Sequence, residues 1–341
     1  MSIVIEKYEN QNGIYVLRDD LLPGGTKSIL LDSIIKRGAM PPSDPQLKGG
    51  EMPPYDLQLK GGEMSSYDLQ LKGGEMPPPS DVNELVYASP CYGGFQIALS
   101  IFCKNNNKKA TIFCAERKIR HPNTEICIQN GANVIEVPYG YLSVVEKHAR
   151  EYLREPRFPH TPSLQTKGII LGAGGVLGAP INAEGGVLAQ CLAPLVPLKI
   201  EFGANSPENI NIIASRAKRV IETFSEIYGN PPHEIWCAVG SGTLISGIIQ
   251  AVNEMQGKGS EGTACPLKIY GVQVGKEFKN HKSSNVTILV YPKPFEYASK
   301  LKVDFPSMPN YDLKAFEVCL EHNKNKSNIN ENKKILFWNV L

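Results

Sequence analysis

This sequence of 341 residues lacks the patterns that mark several large classes of protein. It contains no apolar run of the roughly 20 residues that a membrane-spanning helix needs, because its longest uncharged segment is rich in glycine and proline. The first residues, MSIVIEKYEN, show no basic region followed by an apolar stretch, so we predict neither a signal peptide nor a membrane segment. The formal net charge is only +2, with acids and bases interspersed, which argues against a nucleic-acid partner.

Metal-binding and disulfide patterns are absent as well. The eight cysteines stand singly, without a C-x-x-C pair, and the six histidines form no pair at the helical spacing of metal ligands. We therefore expect no metal site. Several cysteines lie inside apolar runs, which is typical of buried reduced thiols in a cytoplasmic protein.

Two insertions are the most conspicuous features that the sequence does contain. A twelve-residue unit, such as KGGEMPPYDLQL, recurs over residues 37–80. We predict that this segment is flexible, because its units contain too few apolar residues to offset the entropy of ordering them. A second insertion is predicted at 160–198, where the stretch 168–197 is glycine-rich and apolar. It would suit either a homodimer contact or a cover over a pocket, and these alternatives stay open.

Outside the insertions, apolar runs of strand length alternate with helical patterns. ELVYA, ATIFCA and EIWCAV are predicted strands, each followed by a predicted helix, and ILFWNVL is the last predicted strand. Strands that are apolar throughout and separated by helices are typical of parallel sheets covered on both faces. The predicted fold class is therefore α/β, built in two blocks.

Lys27 is the first candidate for chemistry. It follows the glycine pair of RDDLLPGGTK and opens an apolar helical run. Burial and the positive end of the helix dipole both disfavour its ammonium form, so its pKa should be lowered. A neutral lysine amine is the nucleophile that Schiff-base formation requires. An ordinary glycine turn with a surface lysine is the alternative.

Two glycine turns follow predicted strands. Gly240, Ser241, Gly242 and Thr243 join EIWCAV to a helix and would offer backbone N–H groups and hydroxyls to a phosphate. The dinucleotide-binding fingerprint does not fit, because the third glycine has the wrong spacing. The segment Ser89–Gly94 joins ELVYA to another helix, at the strand end where α/β proteins hold ligands. Either turn would also serve for tight packing alone.

Taken together and in this order, the three segments resemble the fold-type-II pyridoxal-phosphate enzymes. That group includes the cysteine synthase, threonine synthase, aminocyclopropane-carboxylate (ACC) deaminase and D-cysteine desulfhydrase families. The stretch ATIFCAERKIRHPNTEICIQNGANVIEVP is similar to their small-domain passage. The resemblance implies two doubly wound parallel-sheet domains with a shortened C-terminus. The large, cofactor-binding domain would comprise 1–36 and 200–341, and the small domain 82–155.

The resemblance also implies roles for individual residues. Lys27 would form the internal aldimine with pyridoxal 5'-phosphate, and the turn from Gly240 to Thr243 would hold its phosphate. The substrate, an amino acid, would meet Ser89, Cys91, Gly93 and Gly94. Tyr92 stands where the family usually has an asparagine bonded to the cofactor ring, and Asn339 lies in the region of the residue facing the pyridine nitrogen. The first of these departures puts the family's familiar reactions in doubt.

The implied activity is a lyase reaction, by elimination or deamination, or a β-replacement. Two other hypotheses use the same residues. VLRDDLLPGGT also resembles a phosphoribosyltransferase loop, in which Asp19 and Asp20 would bind ribose and Gly24, Gly25 and Thr26 would bind phosphate. The position of this loop near the start of the chain argues against that resemblance. The third hypothesis is a non-catalytic binding or scaffold protein that keeps the fold.

Overall fold

The computed structural model describes residues 2–37, 82–138, 140–154, 196–256, 267–275, 277–278, 283–324 and 333–340. The repeat insertion predicted at 37–80 lies outside these residues, apart from residue 37. The insertion predicted at 160–198 lies outside them as well, apart from residues 196–198.

The described residues form strands and helices that alternate along most of the chain. The strands are β1 (Ile5–Lys7), β2 (Ile14–Arg18), β3 (Val82–Ala88), β4 (Lys109–Ala115), β5 (Asn133–Val137), β6 (Val196–Ile200), β7 (Glu234–Val239), β8 (Lys268–Gln273), β9 (Val286–Val290) and β10 (Ile335–Asn339). The helices are α1 (Thr26–Arg37), α2 (Phe95–Asn105), α3 (Pro122–Gln129), α4 (Leu142–Arg154), α5 (Pro207–Tyr228), α6 (Thr243–Gln256) and α7 (Asp312–Lys324). Short 3-10 segments occur at Asp19–Leu21 and Phe202–Ala204.

The strands form two sheets, and the predicted α/β class is confirmed. The larger sheet has the order β1-β2-β10-β7-β8-β9, in which only the pair β1 and β2 is antiparallel. The smaller sheet has the order β5-β4-β3-β6 and is parallel throughout. Parallel strands end at a common edge, so the loops that follow β2, β7, β8 and β10 leave the larger sheet on the same side.

The apolar sequence of β7 has a direct structural reason. Ile235, Cys237 and Val239 belong to a buried cluster with residues of α5 and α6 on one face of the larger sheet. Trp236 and Ala238 belong to a second cluster, with residues of α7, on the other face. Side chains of a strand alternate between the two faces, so a strand covered on both faces is apolar along most of its length. The exception is Glu234 at the first position, which is buried and paired with Lys333.

The strand β6 crosses a predicted boundary. It begins within the predicted insertion (160–198) and ends at the first residue of the predicted large-domain segment (200–341), and it pairs with β3 in the smaller sheet. A segment containing Pro197 and following a glycine-rich stretch gives little strand signal. Because β6 is an edge strand, the missing N–H of Pro197 is tolerated there. The smaller sheet therefore draws its strands from both sides of the second insertion.

Two further observations concern the described residues alone. None of their helices is both long and apolar enough to cross a lipid bilayer. Their six cysteines are buried and free, as the sequence predicted for these positions. Burial raises the pKa of the Cys103 and Cys127 thiols to about 12, so both thiols stay protonated and unreactive at neutral pH.

Candidate active site

A cavity of about 340 Å³ lies where the carboxyl ends of the two sheets meet. All three predicted segments contribute to its wall: Lys27 from α1, Gly93 and Gly94 from the loop after β3, and the turn between β7 and α6. Tyr87 of β3 and Val340, which follows β10, also line it. The predicted lysine and the predicted phosphate turn therefore share one cavity, although more than 200 residues separate them in the sequence.

Lys27 reaches the cavity because the chain turns tightly between β2 and α1. Gly24 has a φ of +84°, and a Cβ at that position would lie 3.2 Å from the Cα of Ala98 in α2. A glycine is thus needed where the start of α1 approaches the smaller domain. Lys27 is the second residue of α1, so its side chain enters the cavity from the first turn of that helix.

The electrostatics of Lys27 agree with the prediction from sequence and add a group that the sequence did not reveal. Burial is the main influence and lowers the pKa of the amine, while the Asp312 carboxyl partly opposes this by raising it. The amine also lies 5.1 Å from the ring centroid of Tyr311. The net effect is a lysine that loses its proton more easily than a lysine in water.

The turn between β7 and α6 has the features of an anion site. The hydroxyl oxygens of Ser241 and Thr243 are 3.1 Å apart, and Thr243 donates to the carbonyl oxygen of Gly203 at 2.9 Å. Thr243 is the first residue of α6, so the leading N–H groups of that helix have no intrahelical acceptor. Free N–H groups, hydroxyls and a positive helix end together suit a phosphate.

Close packing leaves no room for side chains behind this turn. Gly203 has a φ of +66°, and a Cβ there would lie 2.2 Å from the Cβ of Ser241. A Cβ on Gly240 would lie 2.8 Å from the ring of Tyr311. The turn is thus held between Tyr311 and the segment Phe202–Ala204, which fixes the direction of its polar groups.

Several predicted site residues do not line the cavity. The Ser89 hydroxyl donates to the carbonyl oxygen of Pro90 at 2.9 Å, and Cys91 is buried in the loop. The Tyr92 ring packs on His121, with centroids 4.7 Å apart. Gly242 packs against Phe278 instead. The walls of the cavity are thus formed by other residues of these two turns.

Asn339 does not line the cavity either. It is fully buried, and its amide nitrogen donates to Asp20 and to the carbonyl oxygen of Pro306, at 2.8 Å in both cases. Its neighbour Val340 lines the cavity instead. The amide nitrogen of Asn339 therefore holds the end of β10 in place and does not point to the cavity.

The phosphoribosyltransferase resemblance receives no support from the geometry. Asp19 is bound to Arg216, Thr26 and Trp338 in the interior. Asp20 accepts hydrogen bonds from Arg18 and Asn339. Neither carboxylate lines the cavity, so the ribose ligands that this resemblance requires are engaged elsewhere.

Sequence analysis gave no site role to several residues in or beside the cavity, among them Tyr87, Gly203, Tyr311 and Asp312. Tyr87 could have been recognised from the sequence, because a phenol inside an apolar strand needs a hydrogen-bonding partner when it is buried. Gly203, Tyr311 and Asp312 could not, since they approach Lys27 and the phosphate turn only through the tertiary fold. Among the described residues, no group of three or more His, Cys, Asp and Glu side chains could hold a metal ion.

Comparison with known proteins identifies the fold. The chain is similar to the crystal structure of an ACC deaminase homologue, with 14% identity, a TM-score of 0.61 and coverage of 100% of this chain and 89% of the other. A hydrogen sulfide-producing enzyme from Fusobacterium nucleatum gives 13% identity, a TM-score of 0.56 and coverage of 99% and 92%. O-acetylserine sulfhydrylase isoform 3 from Entamoeba histolytica gives 12% identity, a TM-score of 0.54 and coverage of 100% of this chain and 85% of the other.

These similarities confirm that the chain has the fold of the fold-type-II pyridoxal-phosphate enzymes. No protein-family model and no curated protein matches the sequence. At such low identity the solved structures establish the fold, and the chemistry must be argued from the cavity itself.

Proposed function

We propose that this protein binds pyridoxal phosphate at Lys27 and acts on an amino acid by elimination, deamination or β-replacement. The observation that carries the proposal is the shared cavity, in which Lys27 faces the same space as Ser241 and Thr243. The neighbouring structures support it: they include an ACC deaminase homologue and a sulfhydrylase. The sequence resemblance implied the same cofactor from the order of the motifs.

The groups present fit this cofactor. Its aldehyde requires an amine that is readily deprotonated, and burial lowers the pKa of Lys27. Its phosphate requires hydrogen-bond donors near a helix N-terminus, which the turn from Gly240 to Thr243 supplies. Gly203 and Gly240 let the turn pack directly against its neighbours, since an added Cβ would collide with Ser241 or Tyr311, and this packing holds the turn in place beside the cavity.

Bound pyridoxal phosphate would supply an electron sink for negative charge at the α-carbon of the substrate. The chain's own contribution is acid–base chemistry. The free amine of Lys27 can take a proton from the α-carbon or return one, because burial lowers the pKa of the amine and so favours its neutral form. Leu30 and Phe95 give the cavity that holds this amine apolar walls.

Borohydride trapping with peptide mapping tests the proposal. Purified protein is incubated with pyridoxal phosphate, reduced and digested, and we expect the modification on the peptide carrying Lys27. Lys27→Ala should abolish the visible absorbance band of the bound cofactor. Lys36→Ala should keep it, since Lys36 lies on the same helix but is exposed and paired with Asp32. Modification at other lysines only would overturn the proposal.

The reaction itself can be identified with a panel of D- and L-amino acids. A substrate should shift the absorbance band of the bound cofactor, whereas a non-substrate should leave it unchanged. Release of ammonia together with a 2-oxo acid indicates elimination or deamination, and a new amino acid formed with an added thiol indicates replacement. A protein that binds the cofactor but responds to no amino acid would favour the scaffold hypothesis.

A further inference from the structure

A buried ionic cluster lies directly behind the start of α1. We define the Asp19 cluster as Asp19, Thr26, Arg216 and Trp338. These residues are 1%, 2%, 7% and 0% exposed. They come from four elements: the 3-10 segment after β2, the first position of α1, the middle of α5, and β10. A cluster that joins four elements at one point constrains their relative positions.

The Asp19 carboxylate is the centre of the cluster. The Thr26 hydroxyl donates to it at 2.7 Å, the Arg216 Nε at 3.1 Å and the Trp338 indole N–H at 3.1 Å. The Arg216 guanidinium makes a second contact through its Nη2. Burying an acid costs several kcal/mol unless it is paired and hydrogen-bonded. Here a full set of donors and an opposite charge meet that requirement.

Thr26 connects this cluster to the cavity. Its hydroxyl binds Asp19, its backbone N–H donates to the carbonyl oxygen of Val340 at 3.2 Å, and its own surface lines the cavity. Lys27 is the next residue. Fixing both the side chain and the backbone of Thr26 therefore fixes the point from which the lysine side chain starts.

The Asp19 cluster is distinct from the acid that changes the pKa of Lys27. The negative charge of Asp19 is opposed by Arg216 at hydrogen-bond distance, and the acid that raises the pKa of Lys27 is Asp312. We therefore infer that Asp19, acting through the Thr26 hydroxyl, is a positioning residue that aims the Lys27 amine into the cavity. The inference rests on the proposed function, since it concerns how Lys27 meets the cofactor.

The most direct test removes the hydrogen bond between Thr26 and Asp19 but keeps the ion pair between Asp19 and Arg216. Thr26→Val is nearly isosteric and leaves Asp19 bound to Arg216 and Trp338, whereas Thr26→Ser restores the hydroxyl. The measurement is the rate at which borohydride traps pyridoxal phosphate on Lys27, determined across a range of pH. Peptide mapping locates the modified lysine. We expect Thr26→Val to lower the rate about tenfold at every pH, because small misplacements of reacting groups are costly. Thr26→Ser should stay near the wild-type rate.

The midpoint of the pH profile distinguishes positioning from a change in charge. Thr26→Val should leave the midpoint unmoved, since it removes no charged group. A second variant, Asp19→Glu, keeps the charge for Arg216 but displaces the carboxylate by one methylene, and it should also slow trapping. Glu234→Gln is the matched control: this acid is also buried and paired, with Lys333, but it lies at the start of β7, at the opposite end of that strand from the phosphate turn, so trapping should continue at nearly the wild-type rate.

The outcomes are separable. If the wild type traps the cofactor on Lys27 and Thr26→Val does so equally fast, the positioning role of the Asp19 cluster is wrong and the proposed function stands. A shifted midpoint in Thr26→Val would also overturn it, because the effect would then be electrostatic. If the wild type traps no cofactor on Lys27, the proposed function fails and the positioning role fails with it.

Discussion

At the residue scale, Lys27 is subject to two opposing influences on its pKa, burial and the Asp312 carboxyl. Burial was foreseeable, because apolar residues follow Lys27 in α1. Asp312 was not, because it belongs to α7 near the other end of the chain and no spacing relates it to Lys27. The amine and its turn could thus be predicted from local sequence, whereas the acid beside them is a product of tertiary folding.

Substituting Asp312 should move the titration of Lys27 in a defined direction. A carboxylate stabilises the ammonium form, so Asp312→Asn removes a contribution that raises the pKa, and the amine should lose its proton at lower pH. The pH profile of cofactor trapping on Lys27 should therefore shift to lower pH. Asp32→Asn, on the exposed side of α1, should leave the profile in place. A shift to higher pH in Asp312→Asn would contradict this assignment.

Tyr92 should matter less than its place in the sequence suggests. Its ring packs on His121 and, at 6.3 Å between centroids, on Phe295, and it does not line the cavity. Tyr92→Phe keeps this packing, so we expect cofactor affinity to change by no more than about twofold, the scale of substitutions away from special contacts. Equilibrium titration of the absorbance band measures it. A tenfold loss would show that the phenol contacts the cofactor after all.

At the scale of elements, the site depends on segments with weak sequence signals. The regular strands and helices could be predicted because each buries an apolar face, and β7 was identified with its observed bounds. β6 and the segment Phe202–Ala204 after it could not, because the proline inside VPLKI argues against a strand and a three-residue turn has no apolar period. Gly203 nevertheless closes the back of the phosphate turn.

Gly203→Ala should weaken cofactor binding more than its backbone strain explains. Its Cβ would collide with Ser241, so the turn that faces the phosphate must move. Gly229 is a matched control: its φ is +83°, but a Cβ there meets nothing within 4 Å. In denaturant unfolding, Gly229→Ala should cost about 1 kcal/mol of stability from the left-handed backbone, and Gly203→Ala should cost more because its Cβ also collides with Ser241. Only Gly203→Ala should also raise the Kd for pyridoxal phosphate. Equal affinities in the two variants would contradict the packing argument.

At the scale of the whole molecule, the cavity exists because two sheets direct their carboxyl ends toward each other. Lys27 and the phosphate turn belong to the larger sheet's loops, while Tyr87 and Gly93 come from the smaller sheet. A ligand that fills this space contacts both sheets. Binding to the native state alone stabilises it by mass action, so cofactor binding should be visible in the unfolding of the entire protein.

Thermal unfolding with two related ligands should separate the contributions of the two ends of the cavity. Pyridoxal phosphate at about 100 times its Kd should stabilise the fold by about 2.7 kcal/mol, which raises the Tm by several degrees in a protein of this size. Pyridoxal has the same aldehyde without the phosphate, so it cannot use the free N–H groups at the start of α6. At the same concentration its Tm shift should be clearly smaller. Gly203→Ala should reduce the shift with pyridoxal phosphate and leave the shift with pyridoxal unchanged, since only the phosphate turn is displaced. Equal shifts with both ligands would mean that the turn after β7 does not bind the phosphate.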